Sequence, residues 1–391
     1  MDRTAAIIGS GRIGSGWAAR FLLFGWHVRV FDADPGAQAR LTQVIEAART
    51  SLLGLYDTPL PPPGRLSQHG SIAEAVAGAV WVQESVPEDL SLKREVVREV
   101  QAHGPEAIVA SAASDIPLEA LREGAARPER VVIARAVAPV YLLPPVVLEA
   151  RDAACGAQAE AVLRGIGMTP LQGEQTLGPE GTQIAAALGL AAEQGPATDA
   201  RRDATLVGVL RALKAEGRGV GAAFAATDRA RMPAPGAESA PLLTAARVVP
   251  ADWADYNGHM TEARYLHAFG NATDRFMELI GVDAAYLASG GSFFTAETHI
   301  RHLGEMRIGA AFEIRTTCLA GAGKRMHLWH EMRCDGRLVA TGEHMLIHVS
   351  LRTRRPAPPA APVAANLARI AAAHARLARA EGVGRAIGDP R

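Results

Sequence analysis

A carboxylate and an imidazole stand four positions apart in the stretch VPADWADYNGHMTEARYL, residues 249–266. Asp255 precedes the turn residues Asn257 and Gly258, and His259 follows them, directly before a segment with helical periodicity. The first turn of a helix leaves backbone N–H groups without partners, and these can stabilise an oxyanion. A carboxylate there can attack an acyl carbonyl or deprotonate a water. The pattern therefore indicates hydrolysis of an acyl compound, and equally an Asn-Gly turn that only caps a helix.

A long helix and several strands must position that carboxylate. The helix is predicted over residues 262–280, because apolar residues recur there at helical spacing, namely Tyr265, Leu266, Phe269, Phe276, Met277 and Ile280. Four alternating, strand-like runs follow, at residues 293–299, 311–318, 324–334 and 338–351. Asp335-Gly336 is a strong hairpin signal between the last two runs.

Residues 241–352 resemble the hot-dog thioesterase family, whose D-x-x-G-H-[MV]-N loop matches the stretch from Asp255 to Met260. The resemblance implies a long helix wrapped by an antiparallel sheet, an α+β domain, with an acyl-CoA thioester as substrate. Asp255 would act as nucleophile or as general base, both of which remain open. Thr261 stands where the family usually has Asn, which removes an amide from the substrate site.

The thioester oxygen is expected to bind backbone N–H groups near Thr261 and Glu262. The leaving thiol needs little help from an acid, since a cysteine-like thiol has a pKa of about 8.5. His259 has two interpretations, a direct catalytic part or a loop histidine that packs or caps. A zwitterionic or cationic acyl group would need an aromatic or acidic pocket. The sequence does not rank the candidates for it, which are Trp253, Tyr256, Tyr265, Trp329 and Glu297.

A second chemical motif lies at the N-terminus, where strand 5–8 runs into Gly9-Ser10-Gly11-Arg12-Ile13-Gly14 and a helix. A further strand ends at Asp32, which completes the strand–turn–helix–strand–acid unit of a dinucleotide site. Gly9 would make the turn, Gly11 would admit the pyrophosphate, and Gly14 would let the helix pack closely on the strand. Ile13 lies within this loop, and Asp32 would bond the ribose hydroxyls, which favours NAD over NADP. The sequence therefore predicts an α/β Rossmann domain.

The segment WVQESVP at residues 81–87, with Glu88 and Lys93, resembles the 3-hydroxyacyl-CoA dehydrogenase family. Within that family it is similar to the L-carnitine dehydrogenases, some of which are fused to a hot-dog thioesterase expected to act on betainyl-CoA. The family carries a G-H-P-F-N-P string whose His is the general base for the substrate hydroxyl. Here Arg135 stands in the His position and Ala138 in the Asn position. An arginine remains protonated and cannot take that proton.

The family also has a helical domain of about a hundred residues, the size of an ordinary domain, but only residues 179–228 are left here before the linker. We predict a Rossmann domain at 1–178, a truncated helical segment at 179–232 and a linker at 233–241. The hot-dog domain would occupy 242–352, and a tail with a helix from 364 to about 381 would occupy 353–391. The remaining helices of the truncated segment must pack on another part of the chain to bury their apolar faces.

Charge and cysteine content exclude several classes of protein. The chain has 41 basic and 41 acidic residues, so nothing indicates a nucleic acid or a membrane surface as partner. Three cysteines without metal spacing, Cys155, Cys318 and Cys334, suit a reducing cytoplasm and predict no metal site. The chain starts directly with a strand, which leaves no room for a signal peptide, and no apolar run is long enough to span a membrane.

The preferred hypothesis is an acyl-CoA thioesterase on an NAD-binding domain that has lost hydride transfer. Its rival is a working NAD-dependent L-carnitine dehydrogenase. The resemblance to hot-dog domains implies a homodimer or higher homo-oligomer. The stripe Leu266–Phe269–Phe276–Ile280 is expected to be only partly covered by one sheet, which gives a physical reason for assembly. The acyl group, the retention of NAD binding, and dimer versus tetramer remain open.

Overall fold

The computed structural model describes residues 3–171, 199–216 and 219–385. The chain divides into two compact units, which we call the N-terminal unit (residues 1–56 and 60–230) and the C-terminal unit (residues 57–59 and 231–391). The predicted domain boundary at residue 178 and the first part of the truncated helical segment lie outside the described residues.

The N-terminal unit is built on an eight-stranded sheet. Its strands are β1 (Thr4–Ile8), β2 (His27–Phe31), β3 (Leu66–Gln68), β4 (Trp81–Glu84), β5 (Ile108–Ser111), β6 (Val131–Ala136), β7 (Pro145–Glu149) and β8 (Thr169–Leu171). Their order is β3-β2-β1-β4-β5-β6-β7-β8, and all neighbours are parallel except β6 and β7. The strand order reverses at β1, so the crevice for a ligand lies at its carboxyl end. The predicted Rossmann fold is confirmed.

Helices cover both faces of this sheet. They are α1 (Arg12–Leu23), α2 (Ala37–Leu53), α3 (Ile72–Val76), α4 (Leu90–His103), α5 (Leu118–Arg122), α6 (Ala153–Gly165), α7 (Asp199–Glu216) and α8 (Gly219–Arg231). The last two are what the structure describes of the truncated helical segment. Leu206, Leu210, Leu213 and Phe224 from these helices join the core of the N-terminal unit. Phe224 packs edge-on against Tyr56, with ring centroids 5.4 Å apart. The shortened segment thus buries its apolar faces on the Rossmann unit.

The C-terminal unit wraps an antiparallel sheet around one long helix. Its elements are β9 (Leu242–Val248), α9 (Glu262–Leu279), α10 (Ala284–Ser289), β10 (Gly291–His302), β11 (Ala311–Ala322), β12 (Arg325–Cys334), β13 (Arg337–Ser350), β14 (Arg355–Pro356) and α11 (Ala361–His374). The strand order is β10-β13-β12-β11-β9, with β14 beside β13. Asp335 and Gly336 have φ angles of 50° and 76°, as a two-residue hairpin turn requires. The predicted hot-dog fold is confirmed.

The sequence predicted that the stripe Leu266–Phe269–Phe276–Ile280 on α9 is only partly covered. This prediction is wrong for three of the four residues. Phe269, Phe276 and Ile280 are fully buried, and Leu266, 47% exposed, is the one that reaches the surface. The tail helix α11 packs on β11, and its Val363, Leu367 and Ile370 share a core cluster with Phe276 and Ile280. Phe269 lies in a separate cluster, with its ring against Gly342 of β13. The sequence offered no way to place this tail helix against α9.

The tail helix is also shorter than predicted. It ends at His374, whereas the composition favoured helix to about residue 381. Nδ1 of His374 accepts a hydrogen bond from the backbone N–H of Cys318 at 2.8 Å, and Nε2 bonds the carbonyl of Ala240 at 3.1 Å. These two hydrogen bonds fix the last turn of α11. They place that turn beside the part of β11 that extends beyond β9.

Two histidines lie in the core beneath α9. Nε2 of His330 bonds the hydroxyl of Thr273 at 3.1 Å, and Nδ1 bonds that of Thr316 at 2.8 Å. The ring of His344 lies edge-on to that of His330 with centroids 4.9 Å apart, and its buried Nε2 has no partner among the described residues. Burial lowers the pKa of His344 to about 4 and holds that of His330 well below its usual range.

This burial makes stability depend on pH. The folded state resists protonation of His344, so stability present above pH 6.5 is lost as the pH falls towards about 4. The pKa difference corresponds to about 3 kcal/mol. We expect His344→Leu, which preserves apolar volume, to remove the part of the pH-dependent loss of stability that is due to His344. The measurement is calorimetric unfolding of the C-terminal unit at pH 7 and at pH 4. An unchanged difference in stability between pH 7 and pH 4 would contradict it.

Candidate functional site

The loop that carries Asp255 is a small, closed hairpin before α9. Ala254 and Met260 form an antiparallel bridge, and the N–H of Asp255 donates to the carbonyl of His259 at 2.8 Å. The N–H of Gly258 returns to the carbonyl of Asp255 at 3.0 Å, and Gly258 has φ 76°, a conformation that suits glycine. The Asn-Gly turn expected from the sequence is therefore present, and it presents Asp255 at the surface.

The carboxylate of Asp255 takes part in this turn. Its Oδ1 accepts hydrogen bonds from the backbone N–H groups of Asn257 at 2.8 Å and His259 at 3.2 Å. Partial desolvation raises the pKa of Asp255, but these two hydrogen bonds and the nearby His259 outweigh it and hold the pKa below its usual value. The group is thus an oriented, ionised carboxylate at neutral pH.

The start of α9 lies immediately beyond this loop. Thr261 is the N-cap residue, but its side chain makes no capping hydrogen bond. Its own N–H donates to the carbonyl of Trp253 at 2.8 Å, which joins the helix start to the segment before Asp255. Glu262 is exposed in the first turn, where an acid stabilises the helix dipole. The N–H groups of this first turn can donate hydrogen bonds to an anionic oxygen.

His259 has a structural role in addition to any chemical one. Its backbone pairs with Arg307 as an antiparallel bridge, and its N–H donates to the carboxylate of Asp255. Its Nε2 lies 3.7 Å from Oε2 of the exposed Glu305. Both interpretations of the sequence remain compatible with this position.

The five candidates for an acyl pocket are separated by their surroundings. The guanidinium of Arg247 lies 4.7 Å from the centroid of the Trp253 ring, so that face already holds a cation. Trp329 is buried and lies beside Gly382 in the tail. Tyr256 is 96% exposed, directly next to Asp255. The other two are Tyr265, which is buried, and Glu297, which is exposed on β10.

The glycine turn of the N-terminal unit has the geometry that its motif predicts. Gly9 has φ 84°, and its N–H donates to the carbonyl of Phe31 at 2.9 Å. A Cβ at Gly14 would lie 1.9 Å from the carbonyl oxygen of Gly9, so the helix can pack here only with glycine. A Cβ at Gly11 would meet no described atom within 4 Å, which leaves open space over the loop. Ile13 lies half-buried in the first turn of α1.

Asp32 ends β2 beside this loop. Its Oδ2 accepts hydrogen bonds from the N–H of Ser10 at 2.6 Å and from the Ser10 hydroxyl at 3.0 Å. It lines a cleft of about 580 Å³ together with Gly9, Gly11, Phe31, Ile72 and Val96. Pockets of this size hold cofactor-sized ligands. The residues present therefore fit NAD, and Asp32 and the glycine loop are the groups that would hold its ribose hydroxyls and its pyrophosphate.

Lys93 belongs to a buried polar cluster that the motif alone did not reveal, and the exposed Glu88 lies at its edge. Nζ of Lys93 donates to Oε1 of Glu84 at 2.8 Å and lies 3.7 Å from Oε2 of Glu88. The hydroxyl of Ser111 donates to the other oxygen of Glu84 at 2.5 Å. Oε1 of Glu88 also accepts the N–H of Ser114 at 2.8 Å. Glu84 and Ser111 are the last residues of the adjacent parallel strands β4 and β5. Polar residues at the carboxyl ends of neighbouring strands are the sequence signal by which they could have been predicted.

Arg135 is held by partners of its own. One guanidinium nitrogen donates to Oε1 of Glu149 at 3.0 Å, and another donates to the carbonyl of Ser114. Glu149 was missed from the sequence because β6 and β7 are antiparallel, which brings the two residues together across 14 positions. The residue that the sequence resemblance aligns with the basic histidine of the dehydrogenase family is thus an ion-paired guanidinium.

Two family models match the chain. Residues 4–175 match the NAD-binding domain of 3-hydroxyacyl-CoA dehydrogenase, and residues 249–367 match the thioesterase-like superfamily. Both sites described above lie inside these ranges. The N-terminal unit is therefore a dehydrogenase-type NAD-binding domain, and the C-terminal unit is a thioesterase domain.

Relatives contain both domains in the same order. A Ruegeria pomeroyi protein named L-carnitine dehydrogenase/betainyl-CoA thioesterase is 41% identical, and the alignment covers 99% of each chain. A Mesorhizobium japonicum L-carnitine dehydrogenase is 42% identical over 43% of this chain and 47% of its own. A Pseudomonas aeruginosa betainyl-CoA thioesterase is 43% identical over 38% of this chain and 96% of its own. The chain belongs to the L-carnitine dehydrogenase/betainyl-CoA thioesterase family, and it is an enzyme of the acyl-CoA thioester hydrolase class.

The Ruegeria pomeroyi relative is longer than this chain. The alignment with the Ruegeria pomeroyi protein spans 484 positions against 391 residues here, so at least 93 of its positions have no counterpart. That is the size of the helical domain that the sequence analysis found shortened. No helix in the described part of the chain has the length and apolar character needed to cross a membrane.

Proposed function

We propose that the C-terminal unit hydrolyses acyl-CoA thioesters and that Asp255 is its catalytic carboxylate. The observation that carries this proposal is the fixed, ionised Asp255 directly before the uncapped start of α9. The names of the relatives support a short, betaine-like acyl group as the substrate.

The reaction follows from this placement. The thioester carbonyl would bind with its oxygen over the first N–H groups of α9, from Glu262 onwards, because the N–H of Thr261 already donates to the carbonyl of Trp253. Asp255 would then attack the carbonyl carbon or take a proton from an attacking water, and the coenzyme A thiolate would leave. An aspartate is ionised at neutral pH, so the carboxylate of Asp255 is available without a partner base.

A panel of thioesters tests the proposal. Betainyl-CoA, acetyl-CoA and a long-chain acyl-CoA are incubated with the full-length chain, and free thiol is measured with a chromogenic reagent. We expect the fastest release from betainyl-CoA. If none of the three thioesters releases free thiol, the proposed activity is refuted.

For the N-terminal unit, we propose NAD binding without hydride transfer. The Arg135–Glu149 pair in the place of the basic histidine, and the missing 93 positions, support this. The second candidate is an L-carnitine dehydrogenase, which the relatives' names favour. A test that separates the two is given in the Discussion.

We also propose that the C-terminal unit forms a homodimer. Within the described residues, the outer edge of β10 pairs with no strand, whereas the free end of β11 is covered by His374. Exposed apolar side chains lie on α9 and near the Asp255 loop, at Leu266, Leu303 and Ile308. A second copy would cover both features.

The dimer has a measurable consequence for activity. We expect the full-length chain to sediment as a dimer or larger at micromolar concentration. The thioesterase rate per chain should fall on dilution below the dissociation constant. Leu266→Glu should shift the equilibrium to monomer, while Leu287→Glu on α10, at a comparably exposed leucine, should not. A monomer with full activity would contradict the proposal.

A further inference from the structure

Tyr256 is an aromatic side chain that the fold leaves in water. It is 96% exposed, whereas the next most exposed large apolar side chain in the described part of the chain, Val80, is 48% exposed. Within the described residues, its ring contacts no other ring and no cation, and its hydroxyl makes no hydrogen bond. Burial is the usual contribution of an aromatic ring to a fold, and this ring makes none. Both of its faces are therefore free to receive a ligand.

Tyr256 lies in the turn that carries the proposed catalytic carboxylate. The N–H of Gly258 donates to the carbonyl of Asp255 at 3.0 Å, so Tyr256 and Asn257 are the two central residues of the turn. The carboxylate folds over the same turn, because its Oδ1 accepts the N–H groups of Asn257 and His259. Neighbouring Cα atoms are about 3.8 Å apart, so the ring and the carboxylate can reach the same small acyl group.

A betainyl group would bring a cation to this place. A single methylene group separates its carbonyl carbon from its trimethylammonium nitrogen. When Asp255 reaches the carbonyl carbon, or the water that attacks it, the ammonium therefore lies beside the turn. A cation within about 6 Å of a ring centroid is attracted to the negative face of the ring, and aromatic rings recognise quaternary ammonium ligands in this way.

The charges around the loop also favour a cation. Glu262 is exposed in the first turn of α9, and Oε2 of the exposed Glu305 lies 3.7 Å from Nε2 of His259. With Asp255 these residues place three carboxylates around the loop, and the exposed Arg307 is the basic side chain beside them. The balance is negative, which attracts a cationic acyl group more than an uncharged one.

The ring of Trp253, the other aromatic side chain beside this loop, already holds cations. The guanidinium of Arg247 lies 4.7 Å from its centroid, and that of Arg264 lies 5.7 Å from it. Trp253 and Arg247 are both buried. An ammonium group would have to displace a buried guanidinium to reach this ring, and the remaining positive charge would repel it. The free aromatic face next to Asp255 is thus that of Tyr256.

We infer that Tyr256 is a specificity-determining residue of the thioesterase site and that its ring binds the quaternary ammonium of the acyl group. The ammonium takes no part in bond making or bond breaking, so the contact is kept from binding through to attack. Its loss should therefore lower kcat/KM for a cationic acyl group and leave discrimination by size unchanged. This inference rests on the proposed thioesterase function.

The test compares two thioesters that have nearly the same shape but differ in charge. tert-Butylacetyl-CoA has a tert-butyl group where betainyl-CoA has trimethylammonium, and the ratio of the two kcat/KM values measures the preference for the cation. We expect the wild type to prefer betainyl-CoA. Tyr256→Leu should lower this preference by about 3- to 30-fold, the range of a cation–π contact from an exposed to a desolvated site. Tyr256→Phe keeps the ring and should keep the preference within about twofold.

Fluorinated phenylalanines at position 256 provide a graded control. Fluorine withdraws electron density from the ring and weakens its negative face, so the preference should fall as fluorines are added. A purely structural role of Tyr256 would instead change the two kcat/KM values together and leave their ratio as it is.

The possible failures of the inference and of the proposed function are distinct. Equal kcat/KM values for the two thioesters in the wild type, or the wild-type preference in Tyr256→Leu, would overturn the inference, while the proposed function would stand. If the wild type releases thiol from neither thioester nor from acetyl-CoA, the proposed function is wrong, and the inference falls with it.

Discussion

Asp255→Asn is expected to lower kcat for thioester hydrolysis by about 1,000-fold, the scale of a lost general base, and by more if Asp255 is the nucleophile. An amide is uncharged, a poor nucleophile and no base. Asn nevertheless keeps an Oδ1 that can accept the N–H groups of Asn257 and His259, so the hairpin should persist. KM should change little, because the N–H groups at the start of α9 remain. Release of thiol from betainyl-CoA, followed under saturating and subsaturating substrate, measures both parameters.

Asp283 offers a matched control for this substitution. It is also an aspartate before a helix, and its Oδ1 accepts the N–H of Tyr286 at 2.9 Å. Asp283→Asn should therefore retain activity within about twofold, since it repeats the same loss of a turn carboxylate away from the site. An Asp255→Asn enzyme as fast as Asp283→Asn would remove Asp255 from the mechanism.

The second large effect has two parts. The protein should bind NAD, but it should show no dehydrogenase turnover. We expect no NADH from L-carnitine and NAD above the blank, because Arg135 is paired with Glu149 and cannot accept the hydroxyl proton. NAD at about 100 times its dissociation constant should still stabilise the N-terminal unit by about 2.7 kcal/mol. Absorbance of NADH and thermal unfolding with and without NAD measure the two parts.

Gly14→Ala and Gly124→Ser separate binding from general stability. A Cβ at Gly14 would clash with the Gly9 carbonyl, so the glycine loop must move and the NAD-dependent shift should vanish. Gly124 also has a positive φ of 76° but has no described atom within 4 Å of its added Cβ, so its variant should be destabilised yet keep the shift. Steady formation of NADH by the wild type would show that the dehydrogenase interpretation is the correct one.

Short-range patterns in the sequence, together with the family resemblances, predicted both folds. The roles of the candidate residues stay predictions. The glycine turn before α1 and the Asp255 hairpin are short-range structures, fixed by residues within a few positions of each other, so their spacing predicts them. Strands alternate with period two and helices repeat every 3.6 residues, which separates the N-terminal α/β pattern from the C-terminal wrapped helix. The hairpin at Asp335-Gly336 follows from the left-handed backbone that these two residue types tolerate.

The tertiary structure alone decided which of those residues have partners. The sequence predicted that the sheet covers the stripe with Phe269, Phe276 and Ile280 only in part. In the structure all three are buried, and α11, from a later part of the chain, shares a core cluster with Phe276 and Ile280. Glu149 opposite Arg135, Ser111 beside Glu84, and Gly304, whose carbonyl accepts the Tyr265 hydroxyl, are contacts across 14 to 39 positions. Periodicity carries no information on such pairs, because it fixes which face a side chain takes and not which distant segment packs against that face.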